Sequence, residues 1–123
     1  MQVQLIPMVA TSWLVLGCGA TYPAPTQPLA DTESAERSAT ELGAANQPKA
    51  QLHLQLAHEQ LLRAKAAMKS GDNESATALL LRARSDAELA IALTREEAAK
   101  AGAQTATDQS NTQQLKNATQ GGQ

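Results

Sequence analysis

The chain has 123 residues and a net charge of −2, ten Lys and Arg against twelve Asp and Glu. That balance excludes a nucleic-acid surface and a polyanionic tract. Trp13 and Tyr22 are its only aromatics, so it has no stacking platform for bases or sugar rings. Its core must rely on Leu, Ile, Met and Ala, and the length holds one small domain.

Residues 5–16 are apolar apart from Thr11 and Ser12, with Pro7 interrupting the run early. Twelve residues make about 18 Å of helix, short of the ~30 Å core of a bilayer. The pattern predicts a removable signal segment over residues 1–17 and not a membrane anchor. No Lys or Arg precedes the apolar run. Either the true start lies upstream of Met1 or export tolerates a neutral N-terminus. The run Val15-Leu16-Gly17-Cys18 holds the single cysteine and resembles the lipobox of bacterial lipoproteins. The resemblance implies cleavage before Cys18, diacylglycerol on its sulfur and a fatty acid such as palmitate on the new N-terminus. Several acyl chains on one residue anchor a protein stably where one does not. Gly19 is not the aspartate associated with inner-membrane retention, so the resemblance implies a lipid anchor in the outer membrane. The bland alternative is an ordinary secretory signal cut near Ala20, which leaves a free thiol.

Residues 18–30 read as the lipidated cysteine and a tether. Pro23, Pro25 and Pro28 favour an extended course, about 30 Å over eleven residues. A helical domain is expected over residues 31–103. Its first helix, about residues 31–42, starts at Asp31 as N-cap, sets Ala35, Ala39 and Leu42 on one face and stops at Gly43. The second, about 48–70, opens on Pro48, a residue suited to the first helical position. Ala50, Leu54, Ala57, Leu61, Ala64 and Met68 form its narrow apolar seam. Gly71 fits a left-handed C-cap and Asp72 an N-cap. The third helix, about 73–101, carries the matching stripe Ala76, Leu80, Ala83, Ala87, Ala90 or Ile91, Thr94 and Ala98. So short a connection forces an antiparallel hairpin, and alanine on the seam brings the axes close. Pairs four apart, Glu59–Arg63, Arg82–Asp86, Arg84–Glu88 and Glu96–Lys100, support the outer faces. Residues 104–123, rich in Gln, Thr, Asn and Gly with one isolated Leu115, predict a disordered tail. The expected fold class is all-α.

A second apolar surface remains: Leu52 and Leu56 behind the second helix, with Leu79, Leu89 and Leu93 flanking the seam of the third and Leu81 further round. The first helix is expected to cover part of it, and its apolar face is too small to cover all. The remainder is a candidate surface for self-association or for an unidentified envelope protein.

The stretch from Pro48 to Lys100, above all its run Leu56 to Ala90, LAHEQLLRAKAAMKSGDNESATALLLRARSDAELA, resembles a helical domain of unknown function found in small bacterial outer-membrane lipoproteins and ahead of OmpA-like peptidoglycan-binding modules. The spaced alanines, the Gly-Asp turn and Asp86-Ala87-Glu88-Leu89-Ala90 carry the likeness, and residues 35–43 with Pro48 look like that family's leading helix. The 123 residues contain no OmpA-like module, so peptidoglycan binding is not carried over. The stretch from Gly71 to Ala76 also resembles the turn of a tetratricopeptide repeat. That family usually has an aromatic residue where Asn73 stands, and there is room for one hairpin and not an array.

Catalytic chemistry has little to stand on. His53 and His58 lie five apart, about 140° around a helix, and cannot chelate one metal together. Asp86 and Glu88, like Glu96 and Glu97, face different directions on a solvated helix instead of sharing a cleft. Cys18 is a nucleophile only if it is not acylated. The sequence assigns no catalytic residue, metal or cofactor and no nucleic-acid partner. It leads to a non-catalytic, periplasm-facing lipoprotein of the outer membrane, acting as a structural or interaction module. An adapter or pilotin-like lipoprotein that localises another protein is the alternative, and an enzyme a remote one.

Overall fold

A computed structural model describes residues 21–121. Cys18, the signal segment and the start of the tether lie outside the described residues. The described chain is all-α: α1 (Thr26–Glu41), a single 3₁₀ turn (Ala44–Asn46), α2 (Pro48–Lys69) and α3 (Asn73–Gln120). α2 and α3 form the antiparallel hairpin, and α1 packs across it, chiefly on α3.

The breaks between helices follow from a few residues. Gly43 and Gly71 have φ of 87° and 81°, left-handed values that any side chain would strain. Pro48 opens α2 in its first turn. Asp72 caps α3: its carboxylate accepts from the Ser75 N–H at 3.1 Å. The Ser75 hydroxyl, then that N–H, hold the Asp72 carboxyl below its ordinary value.

Alanine fills the interior. Ala39, Ala44, Ala50, Ala57, Ala64, Ala76, Ala83, Ala87 and Ala90 are all fully buried, and among the described residues Leu61 and Leu80 are the only larger apolar side chains buried with them. The seam therefore has the predicted composition on both helices as far as Thr94; Ala98, expected next in the stripe, is exposed. Leu54 and Ile91 pack against one buried cluster and Leu29 and Leu79 against the other.

Three boundaries differ from the expectation. α1 starts at Thr26, five residues before Asp31, so the tether ends at Pro25. Pro28 is accommodated because it stands in the first turn, where an N–H has no helical acceptor to lose. Asp31 is then no cap: it accepts from Gln27 Nε2 at 2.8 Å and pairs with Arg84 at 3.3 Å. The expected inward face is kept in part: Ala39 is buried and Ala35 half-buried, Thr32 joins them inside, and Leu42 is 44% exposed at the C-cap. The third difference is residues 104–120, expected as a disordered tail, which continue α3 to Gln120. Extending an existing helix needs no new nucleus, and Gly102 alone costs only about 1 kcal/mol in a helix interior. Side-chain bonds such as Gln104 Nε2 to Asp108 at 2.9 Å accompany the extension. Every residue from 95 to 121 is exposed, so this end of α3 stands alone in solvent.

Candidate functional site

At 100° per residue, the seam divides each helix of the hairpin into a front and a rear flank. α1 lies along the front. Thr32, 1% exposed, donates its hydroxyl proton to Pro28 O at 2.7 Å and Leu80 O at 3.2 Å, tying α1 to α3. His58 Nδ1 meets Glu36 at 2.6 Å, Lys65 meets Glu33 at 2.7 Å, and Arg84 bridges Asp31 and Glu88. The Glu88 and Asp31 carboxylates together raise the Arg84 pKa. No sequence pattern singles out Thr32, because a lone hydroxyl on an amphipathic helix carries no apolar signal.

Among the described residues no helix covers the rear. Leu52 is 54%, Leu56 36% and Leu89 42% exposed. Of the remaining candidate residues, Leu79 and Leu93 are half-buried against the two core clusters, so they belong in part to the interior. Leu81 is exposed further round α3 and lines a shallow groove with Arg82, Ser85, Asp86 and Leu89. The expected partial cover by α1 thus falls on the front, and the rear leucines stay in water.

A polar bridge crosses the seam beside these leucines. Asp86 accepts from Gln60 Nε2 at 2.6 Å and meets His53 Nδ1 at 2.9 Å. The expected Arg82–Asp86 pair does not form, because Asp86 turns toward α2. Arg82 makes no ion pair among the described residues. The other three expected pairs are present: Arg63–Glu59 at 3.8 Å, Arg84–Glu88 at 2.8 Å and Lys100–Glu96 at 2.7 Å. Folding the chain back on the Gly71-Asp72 turn brings His53 and Gln60 level with Asp86, the one signal that could have revealed the bridge.

His53 and His58 sit on opposite flanks of α2, each on its own carboxylate. Among the described residues no three His, Cys, Asp or Glu side chains gather to hold a metal ion. Nor is any described helix long and apolar enough to cross a membrane. A cavity of about 320 Å³ lies at the open end of the hairpin, lined by Gln47, Pro48, Lys49, Ala50, Leu93, Glu96 and Glu97. Lys100 first, with Lys49 a smaller contributor, holds the Glu96 carboxyl below its ordinary range. What the arrangement offers is therefore a surface: a leucine face about two helices wide, flanked by charge at each end.

No curated protein and no solved structure matches the chain. The family model of a domain of unknown function, DUF4398, matches residues 27–106, well over half the chain. The match spans α1, the 3₁₀ turn, α2 and the packed part of α3, and it ends where α3 has left the hairpin. The chain belongs to the DUF4398 family.

Proposed function

We propose that this protein is a lipoprotein of the bacterial outer membrane, anchored through acyl chains on Cys18 and facing the periplasm. Its helical domain acts without catalysis, as a structural or interaction module. The observation that carries the reading is the rear face of the hairpin. α1 docks on the front, and Leu52, Leu56 and Leu89 remain exposed together on the other side. Exposed leucines gathered on one flank mark a candidate contact surface. The lipobox-like run ending at Cys18 supports the anchor.

Two measurements test it. The intact mass of the mature chain is expected to show an N-terminal cysteine carrying acyl groups, and Cys18→Ser to release the protein from the membrane fraction. A soluble wild-type chain without acyl mass would overturn the anchor. Photo-crosslinking in intact cells from Leu56 and Leu89 is expected to capture a protein, whereas the same probe at Leu115 is expected to capture none. Capture of one distinct envelope protein makes the chain an adapter. Silence at both rear positions removes the interaction module.

A further inference from the structure

The rear face carries a pattern that selects its own occupant. Ala50 clusters with Ala90 and Leu93, and Ala64 with Leu80 and Ala83. This register sets Leu56 level with Leu89, and Leu52 level with Leu93. The hairpin thus presents two leucine rungs, each made of one α2 and one α3 side chain. A two-fold axis parallel to the helices lays α2 of one copy on α3 of the other. Each α2 leucine then falls on an α3 leucine of the same rung.

We infer that the rear face binds a second copy of this chain in the same direction, with Leu56 on the partner's Leu89 and Leu52 on the partner's Leu93. A two-fold contact is self-complementary by construction, so every rung is used twice. The result is a four-helix arrangement with the two α1 helices on the outside. The inference rests on the reading of this face as an interaction surface and names its occupant.

Charge and chain path agree with this direction. At the open end, Lys49, which already acts on Glu96 of its own chain, also comes level with the partner's Glu96 and Glu97, whose direct ion pairs among the described residues are with Lys100. The segment before residue 21 leaves at the turn end, where Asn73 Nδ2 donates to Tyr22 O at 2.9 Å. Same-direction copies therefore release both segments at one end, as two chains anchored in one membrane require. Opposed copies centred on Leu89 set Arg82 against the partner's Glu96, but they place only like leucines, Leu89 and Leu56, across the axis and send the two tethers to opposite ends.

The same-direction arrangement also has unfavourable meetings. Arg82, which pairs with no carboxylate among the described residues, comes level with the partner's Arg63, and Asp86 with the partner's Glu59. From the Lys49 end to the Arg82 end the face is about 21 Å long and two helices wide, smaller than a standard specific interface. The dimer is accordingly weak in solution and strengthened where tethering concentrates both chains on one surface. The Arg82 meeting supplies a test with opposite signs for the two directions. Arg82→Glu is expected to tighten the same-direction dimer several-fold, and to weaken the opposed one.

The experiment co-expresses two full-length chains with different tags, one Leu56→Cys and the other Leu89→Cys, and oxidises intact cells. The expected product carries both tags, at several times the level given by either variant alone or by Cys18 in the unsubstituted chain, and Arg82→Glu raises it. Leu89→Cys crosslinking to itself as readily as to Leu56→Cys, or a fall with Arg82→Glu, overturns the same-direction assembly. No mixed-tag product above background overturns the second copy as occupant. That result leaves the proposed function standing if photo-crosslinking still captures another protein from this face, and silence in both assays sinks the two together.

Discussion

Two polar residues hold the joints between helices. Thr32 joins α1 to α3 by a hydroxyl that reaches Leu80 O, a carbonyl that stays inside a continuous helix. Thr32→Val keeps the volume and removes the bond, and is expected to cost about 1 kcal/mol in denaturant unfolding. Asp72 acts at the other joint. Its carboxyl is held below the ordinary value of 3.8 by Ser75. A lowered folded-state pKa means the cap contributes fully above that ordinary value. The contribution is lost as pH falls through the lowered one. The stability gap between wild type and Asp72→Ala, followed by melting from neutral pH downward, is expected to hold steady and then close in strong acid. The gap between Asp72→Asn, which keeps an uncharged cap, and Asp72→Ala is expected to stay constant over the same pH range.

The elements were legible where single residues dictate them. Gly43, Pro48, Gly71 and Asp72 mark breaks by φ, ring or cap, and α2 with its seam follows from them. Alanine spacing gave the facing stripe of α3 as far as Thr94. What escaped is what no local residue decides. α1 starts at Thr26, and Asp31 is a partner of Gln27 and Arg84 instead of a cap, the second contact lying 53 residues away in sequence. The end of α3 persists without burying anything, so a reading based on buried area misses it. The His53–Gln60–Asp86 bridge joins residues far apart in sequence and appears only once the hairpin register is drawn. The leucine face was visible as a surplus of apolar residues, but its division between Leu79 and Leu93, half-buried, and Leu52, Leu56 and Leu89, exposed, needed the packed hairpin.

Two element-scale outcomes follow. Ala87, fully buried on the seam, leaves no room at the closest approach, and Ala87→Leu is expected to cost about 1–3 kcal/mol by overpacking. An unchanged melting temperature would mean that another face is inside. The last turns of α3 predict the reverse. A chain ending at residue 106 keeps every buried side chain, since none lies beyond Thr94. It is expected to melt at the wild-type temperature while its total helical circular dichroism falls in proportion to the residues removed.

At the scale of the whole molecule, the alanine interior sets how the fold responds to heat. Among the described residues, nine of the eleven buried apolar ones are alanine, and the outer end of α3 exposes as much surface folded as a helix can. Unfolding therefore uncovers little new hydrocarbon per residue, and the heat-capacity increment is expected below the usual ~12–15 cal/mol/K per residue. Scanning calorimetry reads it directly. A small increment flattens the stability curve, so the bundle varies little in stability between cold and warm conditions and loses its structure over a broad interval of temperature. A thin, tightly spaced seam thus trades a high maximum of stability for insensitivity to temperature.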